Sequence, residues 1–407
     1  MGKALEGIKV VELSTYVAVP TCGRMLADMG ADVIKVESPR GDTWRIHGAN
    51  NGITATEEEN PLFDLFNSGK RGIVLDLKNP RGLALLYQLL EGADIFLTNT
   101  RMKSLKKLGL APETLRGKFP RLIYGALSGF GERGPEREEP GFDSVAFWAK
   151  TGFLADMTTR TDNTLPVMHP TSVGDAATAA ILLNGVLAAL LQRERTGRGD
   201  YVTTSLYNTG IWLMGGMVIM AQDRYGVRYP KSREEGGAFR GQFKCADGEW
   251  VMVMILDEGK YADAYFEVLG RGDLADDPRF STIAARRLHK PELFAIVEPI
   301  FLERTCDDWL QRLKAKDIPC TRVNHFRDVS HSEQAWVNGF VEEFQFRNGE
   351  TCVMPCPPIR MASQGETPGS RPAPLLGEHT GEVLAGLGLS GKELEELTAC
   401  GAAVQHP

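Results

Sequence analysis

Cysteine and histidine are scarce in this 407-residue sequence, and neither is grouped. The seven cysteines are scattered and odd in number, which does not fit a disulfide framework. Only Cys352 and Cys356 lie close together, and no histidine stands at ligand spacing beside them, so no zinc site is expected. The seven histidines form no HExxH pair, and the GxSxG elbow of serine hydrolases is missing. The sequence therefore predicts neither a bound metal nor Ser–His–Asp hydrolysis.

Positive charge is not in excess either. The chain has 46 basic and 53 acidic side chains, a net charge of −7, which gives no electrostatic reason to expect a nucleic-acid partner. This balance does not exclude an anionic small ligand, because local basic clusters can form on an acidic protein. The N-terminal stretch MGKALEGIKVVEL lacks the long apolar segment of a signal peptide. We therefore expect a soluble cytoplasmic protein with no membrane partner.

Short apolar runs alternate with helical patterns over the first third of the chain. The runs typical of buried strands are Ile8–Leu13, Asp32–Glu37, Ile73–Leu77, Ile95–Thr98 and Leu122–Leu127. Such alternation predicts an α/β fold with a doubly wound parallel sheet, in which ligands bind outside the carboxyl ends of the strands. The loops at these ends are therefore the expected floor of a site. They are Ser14–Val19, Leu77–Asn79, Asn99–Lys103 and Ser128–Gly134.

The pattern changes near Asp223, where a polar, glycine-bearing stretch is typical of a linker or a mobile loop. Hairpin signals and amphipathic helices beyond it indicate a smaller α+β domain. A later helical pattern over Leu375–Gly388 predicts that the chain returns to the large domain. We therefore predict that residues 1–225 form the first part of the large domain, 226–328 the small domain, and 329–407 the segment that completes the large one.

The stretch Thr171–Leu206 has a single acid, Asp175, in front of the uncharged run Ala176–Gln192. With Gly197 just past the end, this pattern predicts a helix with Asp175 as its N-cap. The run is at the lower edge of membrane-span length, but its Ala-rich faces and internal Asn184 favour a buried helix. Two interpretations of Asp175 stay open. Either it is only a cap, or the helix dipole keeps its carboxylate ionised at pH 7 for a reaction.

A literal dinucleotide fingerprint, GFGERG over Gly129–Gly134, follows the last predicted strand. It runs into Pro135 and the acidic sequence EREEP, and not into the apolar helix that would direct its dipole at a pyrophosphate. The motif is therefore interpreted as a loop and not as an NAD site.

Several basic residues lie at or after the predicted strand ends. From position alone they could be a solvated rim or contacts to a phosphate, and the two interpretations are equally favoured. The residues are Arg40, Lys78, Arg101, Lys103, Lys106 and Lys107.

Longer motifs occur in order along nearly the whole chain. They are GIKVVEL, GADVIKVE, NSGKRGIVLDLKNPRG, GFGERGP with PGFD, GDAATAAILLNGVLAALLQRERTGRGDYV and PLLGEHTGEVLAGLG. Together they resemble the family III CoA-transferases. The resemblance implies a Rossmann-like large domain built from both chain ends, a small domain, and two ring-shaped chains threaded through each other as an interlocked homodimer. It further implies coenzyme A thioesters as substrates and no permanently bound cofactor.

The resemblance also implies roles for individual residues. The catalytic carboxylate of the family is the aspartate of a Gly-Asp pair, here Asp175. A mobile glycine loop over the site maps onto Gly236 and Gly237, although the glycine run is shorter here than in formyl-CoA transferase. The implied contacts to CoA lie near the strand ends. They are Val17, Ala18, Arg40, Leu75, Lys78, Asn99, Thr100 and Lys107.

Departures from formyl-CoA transferase bear on the substrate. Val17 stands where that enzyme has Gln, Thr100 where it has Phe, and Pro140 and Phe142 where it has Lys and Tyr. These losses of polar groups argue against a small polar acid and imply a bulkier apolar one, with Phe142 at the substrate. The sequence is most similar to the branch that acts on 2-hydroxy acids in amino-acid fermentation, for which aryllactate and 2-hydroxyisocaproate are typical.

The implied chemistry needs one carboxylate. Asp175 would attack an acyl-CoA to give a mixed anhydride, and CoA thiolate would convert this to an aspartyl-CoA thioester, with backbone N–H groups stabilising the oxyanions. One alternative is an α-methylacyl-CoA racemase, but such enzymes carry a histidine at the position of Phe142, and Phe cannot exchange a proton. The other is a non-catalytic CoA-binding protein, against which the intact Gly174–Asp175 pair argues.

Overall fold

The computed structural model describes residues 3–156, 172–229, 237–362 and 369–406 of the chain. Contacts within the chain divide it into two compact units. The larger unit contains Met1–Leu154, Met168–Val227 and Glu333–Pro407, and the smaller unit includes Arg228–Ser332. Both ends of the chain therefore belong to the larger unit.

Twelve strands lie within the described ranges. Seven form the sheet of the larger unit, two form a separate hairpin, and three form the sheet of the smaller unit. The strands are β1 Lys9–Leu13, β2 Asp32–Glu37, β3 Arg71–Leu75, β4 Ile95–Thr98, β5 Ile123–Ser128, β6 Tyr201–Ser205, β7 Arg240–Lys244, β8 Trp250–Met254, β9 Cys320–Arg322, β10 Val341–Gln345, β11 Thr351–Pro355 and β12 Ala403–Val404.

The same ranges contain eighteen α-helices, the two 3₁₀ turns Thr43–Ile46 and Gly272–Ala275, and one π-helical segment, Asp143–Ala149. The helices are α1 Ala18–Asp28, α2 His47–Asn50, α3 Pro61–Asn67, α4 Pro80–Glu91, α5 Met102–Lys107, α6 Pro112–Lys118, α7 Phe153–Asp156, α8 Val173–Thr196, α9 Leu206–Leu213, α10 Gly215–Met220, α11 Glu258–Val268, α12 Ile283–Leu288, α13 Lys290–Phe301, α14 Cys306–Ala315, α15 Phe326–Val329, α16 Glu333–Val337, α17 Thr380–Gly386 and α18 Gly391–Ala399.

The large sheet has the strand order β12-β3-β2-β1-β4-β5-β6. β1 to β6 are parallel, whereas the two-residue β12 pairs antiparallel with β3 at the edge. The prediction of an α/β fold with a parallel sheet is confirmed. The strand order reverses at β1, whose neighbours β2 and β4 lead in opposite directions across the sheet. A doubly wound sheet binds its ligands at such a point.

Helices cover both faces of this sheet. Val10 and Val11 are consecutive in β1 and therefore point to opposite faces, yet both are buried. Val10 belongs to a core cluster with Leu26 of α1 and Leu182 of α8. Val11 belongs to a second cluster with Leu86 of α4. Burial on both faces explains why the strands are continuous apolar runs and do not alternate with polar residues.

Helix α8 carries the candidate nucleophile at its first turn. It contacts α1, β5 and β6, and one of its faces is buried in the core. By length and composition alone it could cross a membrane, a test that buried core helices also pass. Gly197 ends the helix as the sequence predicts, because its left-handed φ of 70° lets its N–H donate to the Arg193 carbonyl at 2.8 Å.

The start of α8 differs from the prediction. Ser172 is the N-cap residue, with a left-handed φ of 69°, and Asp175 is the third helical residue. The prediction that Asp175 is the N-cap is therefore wrong. The N-cap lies three residues before Asp175, so both Gly174 and Asp175 are helical.

Glu12 in β1 is fully buried between two buried lysines. Its Oε1 lies 3.3 Å from Lys35 Nζ, and its Oε2 lies 2.8 Å from Lys70 Nζ. Lys35 Nζ also pairs with Asp42 at 3.0 Å, and Ser14 Oγ donates to Glu12 at 2.9 Å. Burial by itself raises the pKa of Glu12, but the ion pairs with Lys70 and Lys35 outweigh it and hold the pKa below its usual range. This ionic cluster lies directly beneath the loop that follows β1.

The smaller unit contains an antiparallel sheet of order β7-β8-β9 packed with helices. Its core includes Phe243 of β7 and Phe301 of α13, whose rings stack with centroids 4.4 Å apart. The hairpin of β7 and β8 forms around the turn ADGE, as the sequence predicts.

Replacing Glu12 by Gln tests how strongly the fold depends on the ionic cluster. The substitution removes the negative charge between Lys35 and Lys70 and leaves two buried ammonium groups under-compensated. We expect the free energy of unfolding in urea to fall by about 3–5 kcal/mol. Asp32→Asn is the matched control, because Asp32 pairs with Arg71 at 2.6 Å in a partly exposed position, where the loss should be at most about 1 kcal/mol. Equal losses in the two variants would contradict a structural role for the cluster.

Candidate active site

A cleft of about 810 Å³ opens at the carboxyl ends of β1, β4, β5 and β6. Thr15 follows β1, Asn99 follows β4, and Ser128 ends β5, and all three line the cleft. It therefore lies at the point where the strand order reverses, as the sequence predicts. The loop Leu77–Asn79 was also expected here but does not line the cleft. Its strand, β3, is two strands away from β1 on the far side of β2.

Asp175 lines this cleft from the first turn of α8. The glycine before it is required by packing. A Cβ on Gly174 would lie 2.2 Å from Oδ1 of Asp143 and 2.3 Å from Cγ of Phe147, closer than any side chain tolerates. Gly174 thus lets α8 approach the π-helical segment until the carboxyl groups of Asp175 and Asp143 interact.

The electrostatics of Asp175 differ from the expected ones. Burial, reinforced by the neighbouring Asp143 carboxylate, raises the pKa of Asp175 to about 7. Desolvation and the like charge therefore act against the helix dipole, which the sequence interpretation invoked to keep this group ionised at pH 7. A carboxyl group whose pKa lies near neutrality is more typical of a reactive site than of a helix cap.

The loops on either side of the switch point are bound to each other. Thr15 N–H donates to Asn99 Oδ1 at 3.1 Å, and Asn99 Nδ2 donates to the Thr15 carbonyl at 2.7 Å. The next residue, Tyr16, has a left-handed φ of 66°, and its N–H donates to Asp42 Oδ1 at 3.0 Å. These bonds fix the backbone where the loop after β1 borders the cleft.

Aromatic side chains form one wall of the cleft. The ring of Tyr16 meets the ring of Phe142 edge to face, with centroids 5.3 Å apart. Tyr16 also meets Trp44 at 6.5 Å, and Trp44 stacks on His47 at 3.9 Å. All four residues line the cleft together with Asp175. The wall offers apolar surface close to a titratable carboxyl group.

The glycine motif Gly129–Gly134 forms a loop, as predicted. The described chain between Gly134 and Asp143 contains turns only, so no helix follows the motif to present its dipole to a phosphate. Gly129 instead packs against Gly141, where a Cβ on Gly129 would come within 2.5 Å of the Gly141 Cα. The two glycines close the loop at the mouth of the cleft, and Phe142 directly follows it.

The cleft brings together some of the residues implied by the family resemblance. Asp175, Ala18, Asn99, Thr100 and Phe142 line it. Two residues of the basic set, Arg101 and Lys106, line it as well.

The other implied residues lie elsewhere. The side chains of Val17 and Leu75 are buried in core clusters, so a contact to CoA from either would come from its backbone. Arg40, Lys78 and Lys107 are exposed and do not line the cleft. Gly237 belongs to the smaller unit and Gly236 lies outside the described residues. The roles of all these residues stay predictions.

Sequence reasoning gave no role to Tyr16, Trp44, His47 or Asp143. Tyr16 lies within a predicted site loop, and Asp143 lies within the motif PGFD. The sequence therefore indicates where these two residues stand, but no local pattern predicts which side chains they contact. Among the described residues, no three His, Cys, Asp or Glu side chains come together to hold a metal ion.

The sequence matches the family model for CoA-transferase family III over residues 5–380. It is 37% identical over 385 residues to (R)-2-hydroxy-4-methylpentanoate CoA-transferase from Clostridioides difficile, covering 94% of this chain and 95% of the relative. It is 35% identical over 395 residues to cinnamoyl-CoA:phenyllactate CoA-transferase from Clostridium sporogenes, covering 96% and 95%. The crystal structure of a CAIB/BAIF family protein from Brucella suis is similar with a TM-score of 0.82 and 29% identity, covering 95% of this chain and 100% of that one. The chain therefore belongs to family III of the CoA-transferases and is a CoA-transferase.

Proposed function

We propose that this enzyme moves CoA from an acyl-CoA to a bulky apolar 2-hydroxy acid, such as an aryllactate or 2-hydroxyisocaproate, with Asp175 as the nucleophile. The observation that carries the proposal is a carboxyl group with a pKa of about 7 in a cleft at the switch point of the sheet. The aromatic wall beside it supports an apolar acid. The names of the two relatives, which act on 2-hydroxy-4-methylpentanoate and phenyllactate, support the same substrate class.

In the first half of the reaction, an oxygen of ionised Asp175 attacks the thioester carbonyl carbon of the donor. The C–S bond breaks, CoA leaves as a thiolate, and a mixed anhydride remains on Asp175. The thiolate then attacks the aspartyl carbonyl carbon. This step releases the donor acid as a carboxylate and leaves an aspartyl-CoA thioester.

In the second half, the carboxylate of the acceptor attacks the aspartyl thioester and expels CoA thiolate. The thiolate attacks the acceptor's carbonyl carbon in the new anhydride, which forms the product thioester and returns Asp175 as a carboxylate. Each attack places negative charge on a carbonyl oxygen. The N–H groups of Val173, Gly174 and Asp175, which have no partner within the helix, are suited to stabilise it.

We propose that CoA lies along the loops after β1 and β4. Ala18, Asn99 and Thr100 already line the cleft there, and Arg101 and Lys106 add positive charge suited to phosphates. The remaining proposed contacts are at the rim of the sheet or through backbone groups. They are Val17, Arg40, Leu75, Lys78 and Lys107.

We further propose an interlocked homodimer in the cytoplasm, with no permanently bound cofactor and a glycine loop, Gly236–Gly237, that closes over the substrate. Apolar side chains exposed on α9 and α10 support the dimer, because a partner surface would remove them from water. They are Ile211, Trp212, Leu213, Val218, Ile219 and Met220.

The covalent intermediate provides the first test. After incubation with an acyl-CoA and hydroxylamine, we expect the peptide that contains Asp175 to gain a hydroxamate, about 15 Da, detected by mass spectrometry. Asp175→Ala should lose transfer by at least about 10³-fold while it still binds CoA esters. Appreciable transfer by that variant would overturn the role of Asp175. Exchange of the α-proton into deuterated water without any hydroxamate would favour racemisation instead.

The pH dependence provides the second test. Because the nucleophile must be ionised, kcat/KM should rise with pH through about 7 and level off above it. Asp143→Asn removes the like charge beside Asp175 and keeps an oxygen for the Trp148 indole N–H, which donates to Asp143 Oδ2 at 3.2 Å. The pKa of Asp175 should therefore fall, and the midpoint of the profile should move to lower pH. A midpoint that stays in place would show that Asp143 does not act on Asp175.

Subunit exchange tests the interlocked dimer. Two purified preparations with different tags should each have twice the mass of one chain. When they are mixed in native buffer, no mixed dimer should form, because threaded chains cannot separate without unfolding. Mixed dimers should form after denaturation and refolding together. Exchange in native buffer would indicate an ordinary dimer.

A further inference from the structure

Asp42 connects the ionic cluster around Glu12 to the aromatic wall of the cleft. Its carboxylate is buried, and Oδ2 lies 3.0 Å from Lys35 Nζ. The other oxygen, Oδ1, accepts the backbone N–H of Tyr16 and of Trp44, both at 3.0 Å. One carboxylate, itself held by a buried lysine, thus fixes the backbone of two residues whose rings border the cleft.

The backbone of Tyr16 needs such support. A left-handed φ is unfavourable for a residue with a Cβ, and among the described residues only Tyr16, Ser172 and Asp317 adopt one outside glycine. Tyr16 and Ser172 both line the cleft. Strained backbone that the surroundings enforce is often found at functional sites. At Tyr16 the enforcing contact is the bond to Asp42.

The strained backbone presents a ring that the protein does not cover. Tyr16 is 37% exposed and Phe142, which it meets edge to face, is 50% exposed. Trp44, by contrast, is buried behind Tyr16 and supports it. Tyr16 and Phe142 therefore offer adjoining apolar surfaces in the cleft that contains Asp175.

We infer that Tyr16 selects the side chain of the acceptor acid, and that Asp42, held by Lys35, is a positioning residue that sets Tyr16. The ligand is an acid with an aromatic or branched apolar side chain, which packs against the rings of Tyr16 and Phe142. This inference rests on the proposed function and extends it. It assigns the selection of the acid to the Tyr16 ring, and the position of that ring to the buried pair of Asp42 and Lys35.

The first variant is Tyr16→Asn. Asparagine tolerates the left-handed conformation, so the substitution removes the ring without adding strain to the backbone at this position. The assay is transfer of CoA to 3-phenyl-2-hydroxypropanoate and to 2-hydroxypropanoate. We expect the loss in kcat/KM to be roughly tenfold or more larger for the aryl acid than for the small acid. Tyr16→Phe keeps the ring and should retain the wild-type ratio.

The second variant is Asp42→Asn, which keeps an acceptor oxygen for the two N–H groups but loses the charge that faces Lys35. We expect the ratio of aryl to small acid to fall several-fold, and to fall no further when the substitution is added to Tyr16→Asn. Asp64→Asn is the matched control. Asp64 is a buried carboxylate of the same unit that accepts the Ala373 N–H at 2.6 Å and does not line the cleft, so its loss should not change the ratio.

The outcomes separate this inference from the proposed function. Wild-type enzyme that transfers CoA to no acid would overturn both. Wild-type transfer, with both acids affected equally by Tyr16→Asn, would overturn the inference alone. Asp42→Asn could also lower the ratio of aryl to small acid by the same factor in the Tyr16→Asn background as in the wild type. That result would overturn the role of Asp42 in positioning Tyr16. If Asp42→Asn does not fold by circular dichroism, Asp42→Glu, which displaces the charge by one methylene, makes the same comparison.

Discussion

The Glu12 carboxylate lies between Lys35 and Lys70 on the central strand of the sheet, with all three side chains removed from water. Burying such charges costs several kcal/mol for each ion unless every partner is in place, so the cluster specifies one arrangement of the chain around it. Helix α1 passes so close that a Cβ on Gly23 would come within 1.9 Å of a Glu12 oxygen. Lys35 extends the cluster to Asp42, and through it to the backbone of the cleft. The backbone that borders the cleft is thus bonded to a cluster of buried charges.

The environment of Asp175 shows the opposite balance, because no described cation lies close enough to lower its pKa. Burial and Asp143 both act against ionisation of this carboxyl group and so raise its pKa. Gly174 permits this arrangement, since any larger residue would separate α8 from Asp143 and Phe147. The same protein therefore surrounds one buried carboxylate with cations and leaves a second, partly buried one beside a like charge. The first lies in the core of the fold, and the second lines the cleft.

Local signals in the sequence predicted much of the fold. The apolar runs that indicated buried strands became the parallel strands. The edge strand β12 was not predicted, because two residues carry no pattern and their pairing with β3 is a contact between distant parts of the chain. The N-cap of α8 was misplaced because Gly174 serves packing and not a turn. In the site, the cleft was predicted from topology, but the contact of Asp42 with Tyr16 spans 26 residues and has no local signal.

The proposed order of steps has an electrostatic reason that follows from the same geometry. The proposed acceptor is a carboxylate and would be repelled by an ionised Asp175, and by Asp143 beside it. Once Asp175 is an aspartyl thioester, it carries no charge, and the repulsion from that position disappears. In the proposed reaction, the donor acid leaves as an anion when the thioester forms, so only one carboxylate would need to occupy the cleft at a time. In the proposed reaction, the covalent intermediate would therefore hold CoA and also make the entry of the second anion less costly. In the proposed reaction, the apolar wall would then contribute binding energy that depends on the side chain of the acid and not on its charge.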